Sequence, residues 1–216
     1  MVDLTIKNGN AVLPYGLSQV AIAAHEGKIV AIGSETAMPE SDRTIDATGA
    51  LVLPGCVDPH VHVNPRSGIE DFYVATKATS WGGTTTIIDF ATQQRGNSLI
   101  KTVQDRRAQA DGKVVIDYSL HTTITDLNLG TVPELKKLIE CGLPSFKLFM
   151  VYRERGMMAD DGTLLRVFEE AKTHGGLVGL HCENIEMIER LVSEALWSGH
   201  RNAIYHVHTR PPITKA

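Results

Sequence analysis

From residue 51 onward the chain repeats one pattern: a short β-branched run, then a stretch whose apolar residues recur at helical spacing. Parallel strands cannot be joined by a tight hairpin and need a crossover, so this alternation predicts βα units around a parallel sheet. Five runs fit, over residues 51–57, 84–90, 114–120, 145–150 and 177–181. Helices are predicted over residues 70–81, 98–110, 132–141, 163–173 and 185–197. The third has clear punctuation. Thr131 with Glu134 reads as a capping box, Val132, Leu135, Leu138 and Ile139 form the apolar stripe, and Gly142 and Pro144 stop it. In the fifth, Ile185, Ile188, Leu191, Val192, Ala195 and Leu196 make a face that must pack on a sheet.

Before this series the rhythm differs. Residues 4–8, 11–13, 19–24 and 28–33 read as short strands, with His25-Glu26-Gly27 supplying the turn of a hairpin between the last two. A small antiparallel sheet is expected, and so short a segment rarely builds a stable core alone. The predicted organisation is a small β domain over residues 1–50 and a βα domain over 51–216.

Composition limits the classes available. With 216 residues, 43% of them hydrophobic and 21% charged, the chain has enough apolar material for a substantial core. A net charge of −4 and the absence of any basic run beyond Arg106-Arg107 or Lys136-Lys137 argue against nucleic-acid and anionic-membrane surfaces. No stretch approaches the roughly 20 apolar residues of a membrane span. The start, Met1-Val-Asp-Leu-Thr-Ile, lacks a signal-peptide pattern, so a cytoplasmic location is expected. Cys56, Cys141 and Cys182 are too few and too widely spaced for a disulfide framework or a structural zinc cluster, and reduced thiols are expected.

A parallel βα series places its functional groups at the carboxyl ends of the strands. The first run ends in Asp58-Pro-His60-Val-His62, and residues at i and i+2 of a strand share a face, so the two imidazoles can grip one ion. The apolar residues 50–53 ahead of them read as a fully buried strand, bent by Pro54-Gly55. The fourth run carries Lys147 within Ser145-Phe-Lys-Leu-Phe-Met150, and the fifth ends at His181. An unpaired ammonium in such a strand is costly, which leaves a neutral amine of depressed pKa, a carbamate formed with carbon dioxide, or a side chain reaching out from an exposed strand edge. His206-Val-His208 repeats the H-x-H spacing but sits in a predicted loop. His121, His174 and His200 read as core or surface histidines, Asp58 as a carboxylate orienting the ligand histidines, and Asp89 as an acceptor for backbone donors.

Several motifs together carry a family resemblance. Pro54-Gly-Cys-Val-Asp-Pro-His60-Val-His62, Gly82-Gly-Thr-Thr-Thr-Ile-Ile-Asp89-Phe, Ser145-Phe-Lys147-Leu-Phe-Met, Asp160-Asp-Gly-Thr-Leu, His181-Cys-Glu-Asn184 and Arg210-Pro-Pro resemble the cyclic amidohydrolases, most closely the D-hydantoinases and dihydropyrimidinases. The resemblance runs the length of the chain. It implies a (β/α)8 TIM-type barrel with a small amino-terminal β-sandwich portion, and two zinc ions per subunit bridged by carboxylated Lys147. In this reading His60 and His62 bind one zinc and His181 the other. Tyr152 becomes the substrate-binding residue that stabilises the oxyanion, Phe149 an aromatic wall, and Arg66 a group able to reach an anionic substituent. The loop holding Arg153, Arg155, Met157 and Met158 would gate a small cyclic amide substrate, and the assembly would be a homotetramer.

The pattern is also incomplete. Eight βα units make a barrel of roughly 250 residues, and five are recognisable before Ala216. The expectation is an amino-terminal half, lacking the later zinc histidine and aspartate base that the resemblance implies, with open sheet edges. Asn64 stands where a dihydroorotase carries a carboxylate-binding arginine, which disfavours that activity. The alternatives are an allantoinase-like ring opening, and a truncated non-catalytic relative acting in assembly.

Overall fold

Glu26 and Gly27 both take positive φ, 48° and 72°. That is the backbone of a type I′ turn, whose twist matches the strands it joins, and glycine at the second position adopts it without steric cost. Asp3 fixes the turn from a neighbouring strand, accepting from the Glu26 amide at 2.6 Å and lying 2.8 Å from His25 Nδ1. The structure is a computed structural model that describes residues 1–63 and 71–215. It divides into two compact units, Met1–Gly55 and Cys56–Ala216.

The first unit contains β1 (Val2–Lys7), β2 (Asn10–Leu13), β3 (Gly16–Gln19), β4 (Ala21–His25), β5 (Lys28–Gly33), β6 (Ser41–Asp46) and β7 (Leu51–Val52). They form two sheets, in the orders β5-β4-β1-β6 and β3-β2-β7. The expected single antiparallel sheet is therefore corrected: β6 runs parallel to β1 and β7 parallel to β2. β6, Ser-Asp-Arg-Thr-Ile-Asp, gives no hydrophobic signal because as an edge strand it keeps most of its side chains in solvent. The interior here is built of small residues, with Ala11, Ala21, Ala23 and Thr5 buried.

The second unit follows the βα rhythm with β8 (Cys56–Asp58), α1 (Phe72–Trp81), β9 (Thr84–Thr92), α2 (Leu99–Ala110), β10 (Asp117–Thr123), α3 (Val132–Glu140), β11 (Ser145–Phe149), α4 (Asp161–His174), β12 (Leu177–His181), α5 (Ile185–Trp197) and α6 (Ile204–His208). Its strands make one parallel sheet in sequence order, β8 to β12. Sequential parallel neighbours joined by helices are how a (β/α) barrel is laid down. Asp71, Ser98, Asp160 and Asn184 cap four of the helices, each accepting from the amide three residues on.

Alternation along the strands sorts the residues into two faces. Leu120, Phe146 and Leu148 turn toward the helices and join Leu99, Val103, Leu135, Leu138 and Val167 in the main core. Phe90, His121, Lys147, Phe149 and His181 belong to the other face.

Several expectations are revised. Residues 51–57 do not form one strand, because Pro54 has no amide hydrogen to donate and residues 53–55 join no ladder: Leu51–Val52 pairs in the first unit and Cys56–Asp58 in the second. Nor is this stretch fully buried, since Leu51 (58% exposed) and Val57 (58% exposed) both lie on edge strands. The third run slides three residues, to Asp117–Thr123, leaving Val114 and Ile116 to pack beside Phe72 and Ile87. The capping box does not form. Thr131 Oγ1 is bonded at Asn128, and the Glu134 carboxylate reaches the start of α2, accepting from Ser98 Oγ at 2.8 Å and from the Leu99 amide at 2.6 Å. His206 and His208 lie on a short helix rather than in a loop, where residues two apart do not face each other.

Candidate functional site

Residues 59–63 follow β8 without regular secondary structure, and the Asp58 carboxylate accepts from the His60 amide at 3.1 Å. Asp58 thus shapes the backbone of the histidine stretch rather than bonding an imidazole. The His60 and His62 rings are 5.2 Å apart between centroids, and both rest on Phe90, at 4.7 Å and 4.5 Å. Phe90 is also 4.9 Å from His121. One phenylalanine on β9 therefore carries three imidazoles.

A second group gathers at the ends of β11 and β12. Phe149 and His181 are register partners, and their rings lie 5.8 Å apart, with Tyr152 5.6 Å from Phe149 and 5.8 Å from His181. Tyr152 sits in the left-handed region, φ 67° and ψ 42°, a conformation that costs a non-glycine residue roughly 1–2 kcal/mol. The next residue holds it there. Arg153 bridges to α5, donating to Glu189 at 2.8 Å and to Glu186. Arg155 lies over the Tyr152 ring, its guanidinium carbon 5.0 Å from the ring centroid.

Lys147 stands between the two groups. It is half-buried in β11, paired in register with Thr123 on one side and Gly179 on the other, with its Nζ 5.0 Å from the Phe149 ring centroid. Burial pushes its amine below the ordinary lysine range, opposed by the Cys182 thiol nearby. His60 is also lowered, first by burial, then by the charges of His62, Lys147 and His121. Both shifts favour the neutral forms, which are the forms with a lone pair to give.

At the end of β12, His181 Nε2 lies 3.3 Å from the buried Glu183 carboxylate, which is itself 4.0 Å from Arg210 Nε. Arg66 lies outside the described residues. Among the described residues no three His, Cys, Asp or Glu side chains form a group that could hold a metal ion. The sequence-derived residues thus lie as two clusters, His60 with His62 and His181 with Tyr152 and Phe149, with Lys147 on the face between them.

No protein-family model matches the chain. Among curated proteins it is 43% identical over 213 residues to the D-hydantoinase of Geobacillus stearothermophilus, covering 96% of this chain and 45% of that one. It is 36% identical over 219 residues to the dihydropyrimidinase of Rattus norvegicus, covering 96% and 42%. A solved D-hydantoinase structure matches with a TM-score of 0.90 at 39% identity, over 100% of this chain and 47% of the other. The chain belongs to the D-hydantoinase and dihydropyrimidinase family. It spans about half the length of the curated relatives it matches.

For a hydantoinase homologue, the five-stranded parallel arc is part of the TIM-type barrel and the two small sheets are the β-sandwich portion. Against this hydantoinase fold, sequence reasoning overlooked two site neighbours. His121 reads as an ordinary histidine because the predicted third strand stops at residue 120; carried to Thr123, its alternation sets His121 on the face of Lys147. Arg106 enters the sequence reading only as half of the Arg106-Arg107 basic pair. Its side chain is only 13% exposed and meets Asp89 at 2.5 Å, a pairing 17 residues apart that no local pattern reveals.

Proposed function

We propose that this chain supplies the His60, His62, Lys147 and His181 side of a binuclear zinc centre that opens the cyclic amide bond of hydantoins or dihydropyrimidines. The observation that carries the reading is Lys147, a half-buried amine of lowered pKa on the strand face between two separate imidazole clusters. A lysine ammonium is no metal ligand. The neutral amine can attack carbon dioxide, forming a nitrogen–carbon bond and releasing one proton, and the resulting carbamate has two hard anionic oxygens. In this reading His60, His62, His181 and the carbamate of Lys147 would hold the ions, with Lys147 on the strand face between the imidazole clusters. Two divalent ions, when bound, lower the pKa of water toward neutrality and polarise a carbonyl.

The chain's own residues supply the rest. His60 is biased toward its neutral form, and the Phe90 ring supports both imidazoles from one side. The Tyr152 phenol can donate to a ring-carbonyl oxygen as negative charge develops there. Phe149 offers a flat apolar wall beside it. Arg66 remains the candidate for an anionic substituent, and its replacement by alanine should change the preference between carboxylated and uncharged hydantoins. A cytoplasmic homotetramer is the expected setting; no described helix is long and apolar enough to cross a membrane.

The test is zinc content with and without bicarbonate, together with an ultraviolet assay on dihydrouracil, hydantoin and allantoin. Lys147→Ala should lose zinc and regain it with short carboxylic acids. Two zinc ions retained by Lys147→Ala without any added acid would remove the bridging role. With the barrel completed by the missing half, turnover of allantoin alone would favour the allantoinase-like reading, and zinc binding with no turnover of any of the three the assembly role.

A further inference from the structure

Residues 59–63 carry the two imidazoles yet belong to no strand or helix, so their shape depends on what grips them. At one end His121 Nε2 donates to the Pro59 carbonyl at 2.7 Å, while its Nδ1 lies 2.6 Å from Ser145 Oγ. A carbonyl only accepts, so the Nε2 proton is fixed. At the other end both backbone groups of Val63 are engaged. Its amide donates to Asp89 Oδ1 at 3.1 Å, and its carbonyl accepts from Arg106 Nη2 at 2.5 Å. Asp89 is fully buried, and its second oxygen accepts from Arg106 Nε at 2.6 Å. The guanidinium carbon in turn lies 4.6 Å from the Phe72 ring centroid.

We propose that His121 and the Asp89–Arg106 pair are positioning residues that clamp the histidine stretch at Pro59 and Val63, setting the separation of the His60 and His62 rings before any ion arrives. The proposal rests on reading those two histidines as ligands. An ion pair buried under a helix is a poor means of adding stability, because desolvating both charges offsets most of their attraction. It does impose one geometry. The guanidinium fork serves a carboxylate and a carbonyl at once, and a lysine could not do so from the same place. Asp89 and Arg106 come from β9 and α2, and His121 from β10, so the clamp ties the irregular stretch to three regular elements.

Two measurements on the whole chain test this: zinc affinity by competition with a chromophoric chelator, and the ring carbon–proton resonances of His60 and His62 without metal. Arg106→Met and His121→Phe should each weaken zinc binding about 10- to 100-fold, with Arg106→Lys intermediate. Leu135→Ala, buried away from the clamp, should lower the melting temperature while leaving zinc affinity within about twofold. Arg106→Lys and His121→Phe keep the test decisive where Arg106→Met fails to fold. Parental zinc affinity in all clamp variants overturns the proposal. A parent chain that binds no zinc overturns the ligand reading instead, and the resonances then decide the clamp. Narrow single lines in the parent that broaden or multiply in the variants support it, and lines that are already broad in the parent, or unchanged in the variants, overturn it.

Discussion

Gly179 is the register partner of Lys147, and a methyl group placed on it would come 3.9 Å from Lys147 Cδ and 3.7 Å from the Phe146 carbonyl. These are ordinary contact distances, and Gly179 does not have positive φ. Gly179→Ala should therefore raise stability by about 0.5 kcal/mol through the unfolded chain, as read by urea denaturation. Gly179→Leu extends into the space of the lysine stem. It should lower zinc retention while the first unit and the helices keep their circular dichroism.

Lys147 makes stability depend on pH in a definite direction. Burial depresses its folded-state pKa, so between that value and the ordinary lysine range the unfolded chain binds more protons than the folded one. Stability then rises with pH across this window and falls as pH drops through the folded-state value. In metal-free, bicarbonate-free protein, Lys147→Met should be more stable than the parent at about pH 7, and the advantage should shrink toward about pH 10 in urea titrations.

The Asp160 cap has the same sign in a more acidic window, and there a favourable contribution is lost at low pH rather than a penalty relieved at high pH. Its carboxyl is held below the usual aspartate range, chiefly by the Thr163 backbone amide, which donates to it at 2.7 Å. The contribution is complete above the ordinary aspartate range and disappears as pH falls through the lowered folded-state value. Asp160→Ala should cost about 1 kcal/mol near neutrality, and parent and variant should converge in strongly acidic thermal melts.

Tyr152→Phe separates packing from chemistry. The ring contacts with Phe149 and His181 survive, so stability should change by less than about 0.5 kcal/mol. Under the proposed ring opening, turnover of hydantoin should fall about 10²- to 10³-fold, with KM little altered. An equal loss in Tyr152→Leu but none in Tyr152→Phe would move the role from the hydroxyl to the ring.

Much of the fold was legible where its physics is local. The fifth helix begins and ends where its apolar periodicity does, at Ile185 and Trp197, and the Lys28–Gly33 strand with its Glu26-Gly27 turn is as read. Errors fall where a distant partner decides. β6 owes its strand conformation to pairing with β1, not to any apolar run of its own, and Leu51–Val52 joins β2 although it continues toward the histidine stretch. The site divides the same way. Alternation in β11 and β12 sets Lys147 and His181 on one face, whereas the hold of Arg106 on Val63 spans 43 residues and leaves no trace in spacing.

The reassigned Glu134 carboxylate has a wider consequence. A helix whose first amide is satisfied partly by its successor keeps only its own cap, here Ser98 on the Lys101 amide, when the successor departs. Since Leu99 and Ser98 are satisfied from α3, fraying there would expose donors at the head of α2. The α2 and α3 repeats are thereby linked, so that loss of order at the start of α3 reaches backward along the polypeptide to the head of α2.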